Sequence, residues 1–211
     1  GSMDFSVKCS PIINKKGEIL GVVEVFRNVT MARKLQKELI DKNRFMTNET
    51  NAASLIQKKV LPDKGFIKNL KVNYLYKPST ILSGDMFDVF QIDDDNIGMY
   101  IADSVGHGCA ASMVTMFIKS MVRTLDKSVQ NSPKKTLTEL CKRFTGLKLE
   151  IENYFTCFYG VYNLKKRSFT FSNAGHLPLP LRVRNREAIS LESRGYPISR
   201  FFAKPDYEEK E

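Results

Sequence analysis

The first pattern along the chain is an alternation. Between residues 5 and 29, apolar and polar positions alternate around the turn-forming set Asn14-Lys15-Lys16-Gly17, with Ile19, Leu20, Val22, Val23, Val25 and Phe26 beyond it. A period of two around a short polar break predicts a β-hairpin. Two strands are too few to fold alone, so this stretch needs further elements to pack against. The period then changes. Thr30 is a capping residue type, and no Pro or Gly interrupts residues 31–60 before Pro62, which predicts one long helix. Ala32, Leu39, Met46, Ala53 and Val60 recur every seven residues, Leu35 and Ile56 fill the intervening seam positions, and Lys42 and Glu49 interrupt it. Two readings stay open: a signalling helix that pairs with its twin in a homodimer through residues 31–61, and a single helix lying on its own domain.

After Pro62-Asp63-Lys64-Gly65 the pattern turns to strands. Residues 72–76 read as one strand, and 86–92 with 97–102 as a hairpin closed at Asp93-Asp94-Asp95-Asn96. Val114, Phe117, Ile118, Met121, Val122 and Leu125 then follow helical spacing, a stripe that predicts a buried helix face. A second helix is expected over 134–149, ending near Gly146, with Leu137, Leu140, Cys141 and Phe144 on one face. Residues 154–162, 168–172 and 181–184 read as strands, the first two joined around Leu164-Lys165-Lys166-Arg167. Strands interrupted by a pair of helices, without strict alternation, predict an α+β layered domain with antiparallel sheets. The expected organisation is a terminal hairpin over 1–30, a linker helix over 31–61 and a domain over 62–211.

Composition narrows the class. Of 211 residues, 42% are hydrophobic and 27% charged, the balance of a globular protein with a real core. Gly1-Ser2-Met3 reads as the scar of a cleaved tag. No apolar run approaches the roughly 18 residues of a membrane span, and nothing resembles a secretory signal, so no membrane contact and a cytoplasmic location are expected. Cys9, Cys109, Cys141 and Cys157 have no C-x-x-C spacing, against a zinc knuckle or a disulfide scaffold. None is followed six positions later by the arginine that a thiolate-based phosphatase needs. The formal charge of +10 raises nucleic-acid binding, but the basic residues are spread, interleaved with acids and without a ladder of stacking aromatics. Solvated faces account for them, and no nucleic-acid partner is expected.

The candidate chemistry flanks the predicted 86–102 hairpin. Ser83-Gly84-Asp85-Met86-Phe87-Asp88 enters it and Asp103-Ser104-Val105-Gly106-His107-Gly108 leaves it. A hairpin returns to where it began, so strand pairing alone brings Asp85 and Asp103 together. Two carboxylates at one sheet end call for a cation or a shared proton, and oxygen ligands without His or Cys select Mg²⁺ or Mn²⁺. Taken singly, an Asp beside a Gly is a turn or a cap. Asp93, Asp94 and Asp95 belong to a tight turn at the far end of the hairpin.

Two resemblances follow from these residues. Pro11-Ile12-Ile13, Gly17-Glu18 and the stretch from Gly21 to Thr30 resemble the last two strands of a PAS sensor domain. Ser83-Gly84-Asp85-Met86-Phe87-Asp88-Val89-Phe90, then the stretch from Ile97 through Ala102-Asp103-Ser104-Val105-Gly106-His107-Gly108 to Ala111, then Asn173-Ala174-Gly175-His176-Leu177-Pro178 resemble the SpoIIE-type branch of the metal-dependent PPM serine/threonine phosphatases, over about residues 60–211. That resemblance implies a central β-sandwich flanked by helices, with two Mn²⁺ or Mg²⁺ ions at one end. Asp103 would bridge the ions, the backbone carbonyl of Ser104 would complete one of them, Asp85 would be a further ligand and Asp88 a weaker one. His107 would either protonate the leaving group or fix its loop by hydrogen bonding, and His176 is the other imidazole near the site. The implied reaction is hydrolysis of phosphoserine or phosphothreonine on a regulatory protein, of the anti-sigma-factor antagonist type, by metal-activated water. The family pattern continues past Gly195-Tyr196-Pro197-Ile198 to further acidic ligands, and this sequence stops before them. Weak or absent activity of the 211 residues is therefore expected. The alternative is a catalytically inactive phosphatase-fold module that switches a partner through its linker helix.

Overall fold

In the computed structural model, which describes residues 2–202 and 205–211, the chain divides into two units, Gly1–Glu49 and Thr50–Glu211. The first holds strands β1 (Phe5–Ile13) and β2 (Ile19–Asn28), paired antiparallel. Their turn forms as its residue types dictate. The Asn14 side-chain oxygen accepts from the backbone N–H of Lys16 at 2.8 Å and of Glu18 at 3.0 Å, and Gly17 takes the left-handed φ of 84°. Helix α1 (Thr30–Lys59) follows. The division between the units falls inside this helix, at neither of the ends expected for it, because its last turns are tied into the second unit: Ser54 and Gln57 are buried there, while Leu35, Leu39 and Met46 are exposed.

The second unit runs β3 (Gly65–Ile67), β4 (Leu70–Val72), β5 (Asp85–Gln91), β6 (Asn96–Ser104), α2 (Cys109–Thr124), α3 (Lys127–Gln130), α4 (Pro133–Gly146), β7 (Tyr154–Asn163), β8 (Ser168–Ala174), β9 (Leu181–Arg184), β10 (Glu187–Ser190), β11 (Ile198–Ser199) and β12 (Glu209–Lys210). The strand expected at 72–76 is a strand only at Val72. Beyond it the Asn73 side chain accepts from the next backbone N–H, of Tyr74, at 3.0 Å, offering the chain an alternative to a ladder. Tyr74 instead packs edge-on against Phe87, with ring centroids 4.6 Å apart.

A six-stranded antiparallel sheet dominates, in the order β12-β8-β7-β6-β5 with β11 also pairing β7. Residues directly opposite one another share a sheet face and alternate residues change face. Met86, Ala102, Cys157 and Ala174 form one row across four strands, and this face carries α2 and α4. The expected stripe is its partner: Ile118, Met121 and Val122 are buried against it with Leu137, Leu140 and Phe144. Each such side chain contributes about 1.5–3 kcal/mol on burial. The mixed α+β class is as the sequence predicts. The layered sandwich implied by resemblance is represented among the described residues by this helix layer and one large sheet, with the β3–β4 and β9–β10 hairpins as its smaller sheets. No helix among the described residues is long and apolar enough to cross a membrane.

Candidate metal and phosphate site

The sheet's other face carries the chemistry. Asp85 opens β5 and stands directly opposite Asp103 near the end of β6, in a register that runs on to Gln91 opposite Ile97. Like charges so placed repel. Burial pushes the Asp103 carboxyl above its ordinary value, and the charge of Asp85 and a hydrogen bond shared with it push in the same direction. Among the described residues no ion pair offsets either carboxylate. Two oxygen ligands in need of positive charge fit a hard divalent cation. Among those residues, however, no group of three or more His, Cys, Asp and Glu gathers.

The backbone beneath this pair is closely packed. The Ser104 N–H donates to the Gly84 carbonyl at 2.9 Å, and a Cβ on Gly84 would meet the Ser104 carbonyl oxygen at 2.9 Å and that of Gly106 at 3.1 Å. Only glycine allows that approach. Ser83, one residue earlier, is clasped by the buried Gln57 of α1. Its carbonyl accepts from Gln57 Nε2 at 2.8 Å, and its N–H donates to Gln57 Oε1 at 3.0 Å. The Ser83 hydroxyl in turn accepts from the Asp85 N–H at 3.0 Å, so one amide side chain anchors the segment that presents Asp85.

The row continues past the two aspartates. Thr156 of β7 stands opposite Asp103, and its Oγ1 lies 3.0 Å from Nδ1 of His176. Asn173 holds His176 at both backbone ends, accepting from its N–H at 2.8 Å and donating to its carbonyl at 3.2 Å; Gly175 between them adopts φ 69°. Burial lowers the imidazole pKa, and the charge of Asp85 acts against that. Asp85, Asp103, Thr156 and His176 thus lie side by side at one end of the sheet.

Asp88 is not among them, and its placement corrects the expectation of a weaker metal ligand. Three residues along a strand reverse the face, so Asp88 points to the helix side and is fully buried. Its carboxylate is taken by Lys119 Nζ at 2.8 Å and by Arg123, through Nε at 2.7 Å and Nη2 at 3.1 Å. His107 is exposed between Gly106 and Gly108, both at positive φ, and among the described residues no hydrogen bond engages its ring, so the loop-fixing role is not observed. Ser104 is buried at the end of β6. At the far end, burial acts to raise the Asp93 carboxyl, but hydrogen bonds from Asn96, Asn131 and the backbone of Asp95 and Asn96 outweigh it and hold it low, as a turn-closing residue requires. Thr156 and Gln57 were missed by sequence reasoning. Registering β7 on β6 would have found Thr156, whereas Gln57 is one polar residue among many on its helix.

A cavity of about 570 Å³ adjoins the row, bordered by His176, Leu177, Leu179, Arg194, Tyr196 and Asp206. A larger one of about 930 Å³, over Phe169 and Phe171, holds none of the candidate residues.

Known proteins share this architecture. A model of the family described as Stage II sporulation protein E (SpoIIE) matches residues 93–211. The chain is 29% identical over 134 residues to the phosphoserine phosphatase RsbP of Bacillus subtilis, covering 62% of this chain and 33% of that protein. It is 27% identical over 158 residues to the phosphoserine phosphatase RsbU of the same organism, covering 74% and 46%. The chain therefore spans between a third and a half of the length of these relatives. The solved SiaA-PP2C domain of Pseudomonas aeruginosa superposes with a TM-score of 0.61 at 19% identity, over 80% of this chain and 68% of that one, a likeness of fold.

Proposed function

From the membership of this chain in the SpoIIE family of PPM phosphatases, a metal-dependent group, we propose that it is the phosphatase part of a sensor-linked signalling protein, hydrolysing phosphoserine or phosphothreonine on a regulatory protein. The observation that carries this reading is the directly opposed, unneutralised pair Asp85 and Asp103. Asp85 and Asp103 would hold the divalent ions, with the Ser104 backbone carbonyl as a further ligand. When bound, Mn²⁺ or Mg²⁺ supplies the charge that acidifies water and stabilises charge developing on the phosphoryl group. The chain's own contribution is position: the β5–β6 register sets the spacing of the two carboxylates, and Gln57 and Gly84 fix the backbone that carries Asp85. The RsbP and RsbU likenesses support phosphoserine as the group attacked; the substrate class we propose is an anti-sigma-factor antagonist, met in the cytoplasm.

Calorimetric titration of Mn²⁺ into the chain and into Asp103→Asn, beside turnover of a phosphoserine peptide, tests this. Binding that is lost in the variant, with metal-dependent turnover by a longer chain that continues past residue 211, supports the phosphatase. Absence of both favours the second reading, a switching module, for which the exposed seam residues Leu35, Leu39 and Met46 speak. Self-association of the chain through 31–61, abolished by Leu39→Asp, would mark the pairing helix that both readings can use.

A further inference from the structure

The row at the end of the sheet closes on an imidazole built into place. His176 is 6% exposed, its backbone is clasped at both ends by Asn173, and its Nδ1 is engaged by Thr156. A Cβ on the preceding Gly175 would press on Pro197, at 2.8 Å from its Cδ and Cγ, so the turn that delivers the ring is closely packed on a second side. With Nδ1 turned to Thr156, the nitrogen left for a ligand is Nε2, and His176 is one of the residues bordering the 570 Å³ cavity. Nε2 carries a proton in the cationic ring, and equally in the neutral ring whose Nδ1 accepts from the Thr156 hydroxyl. With the Thr156 hydroxyl donating to Nδ1, a ring held this way beside two carboxylates is placed to donate to a third anion. The other walls suit the same visitor: Leu177, Leu179 and Tyr196 offer apolar surface for a peptide, and Arg194 a cation, with Asp206, already paired to Lys134, the one opposing charge among the described residues.

We propose that His176 is a substrate-binding residue: Thr156 fixes its orientation, and its Nε2–H donates a hydrogen bond to a phosphoryl oxygen of the phosphoserine segment that enters the adjoining cavity. This rests on the phosphatase reading of Asp85 and Asp103 and adds to it the group that grips the substrate on the side away from Asp85. Thr156 is a positioning residue, acting through the ring.

The test is long-range proton–nitrogen NMR of the labelled, Mg²⁺-loaded chain, titrated with a phosphoserine peptide. Expected are a proton on Nε2 and a saturable shift of Nε2 as the peptide binds. A hydrogen bond to a charged group implies that His176→Ala weakens peptide affinity by about ten- to a hundredfold, whereas His176→Gln, which keeps an N–H at the same reach, stays within about threefold. Thr156→Val is expected to redistribute the ring proton between the two nitrogens and to weaken the peptide, while Mg²⁺ affinity is unchanged. A proton resident on Nδ1, an Nε2 that stays still while the backbone amide signals of Asp85 and Asp103 respond, or a His176→Gln as weak as His176→Ala overturns the proposal. Silence of both the ring and the two aspartates removes the phosphatase reading itself, and this inference with it.

Discussion

Replacing Gln57 tests whether one side chain of α1 anchors the metal-site segment. Its amide makes two hydrogen bonds to the backbone of Ser83, at 2.8 Å and 3.0 Å, and is 3% exposed. Truncation to Ala leaves a buried N–H and a buried carbonyl without partners, at about 1–3 kcal/mol each. Water entering the vacated volume recovers part of that, so the expected loss is about 2–4 kcal/mol, a large fraction of the roughly 5–15 kcal/mol that holds a domain together. Gln57→Leu restores volume but no partner and should be equally destabilised. Gln57→Glu keeps the acceptor for the Ser83 N–H and sets a carboxylate against the Ser83 carbonyl, so it should be no better. Urea unfolding followed by circular dichroism reads the loss as a shifted midpoint at constant slope. Mn²⁺ titration reads the second consequence, weaker binding, since Ser83 also accepts from the Asp85 N–H. Ala and Leu variants within about 0.5 kcal/mol of the parent, the range of an ordinary surface substitution, would refute the anchoring argument.

Two further outcomes follow from the same site. Asp103 binds its proton more tightly folded than unfolded, so its contribution to stability is present below its ordinary value of 3.8 and lost as pH rises through the raised value. Asp103→Asn should therefore raise the metal-free melting temperature at neutral pH, with the gain vanishing in acid; equal gains at both ends would refute the sign. Gly84→Ala must move the Ser104 or Gly106 carbonyl, which should cost about 1–3 kcal/mol and weaken Mn²⁺ binding, read by melting and calorimetry.

What the sequence made legible was periodic. The hairpin of β5 and β6 follows from alternation and a four-residue acidic turn, and once it is granted the meeting of Asp85 and Asp103 is a matter of counting. The α2 stripe was equally plain, since a helix that buries one face must write it every three to four residues. What stayed hidden lies in long-range register and in short polar links. Thr156 reaches Asp103 across 53 positions of intervening fold, and α3, four residues long, is held by the Gln130 side chain donating to Val122 and by Tyr159 donating to Gln130. Such contacts leave no period in the sequence. Asp88 shows how a motif can mislead: it sits in the same acidic cluster as Asp85, and only the pleat separates their roles.

That separation gives the sharpest test of how the strand divides its labour. Asp85 faces the site and Asp88 faces α2, so neutralising them should produce opposite signatures. Asp85→Asn removes one of two repelling charges; at about 0.2–1 kcal/mol for a directly opposed pair, the metal-free fold should be unchanged or slightly more stable, while Mn²⁺ affinity falls. Asp88→Asn strips Lys119 and Arg123 of the fully buried carboxylate that takes three of their hydrogen bonds. Breaking a buried pair costs about 3–5 kcal/mol, and because Arg123 is partly exposed and can rehydrate, the lower end is expected. Mn²⁺ affinity measured on the folded fraction should not change. If Asp88→Asn instead loses metal while remaining stable, the face assignment is wrong and Asp88 returns to the ligand set. If Asp85→Asn keeps its metal, the opposed carboxylates are a strained structural pair and the switching module becomes the better account of this fold.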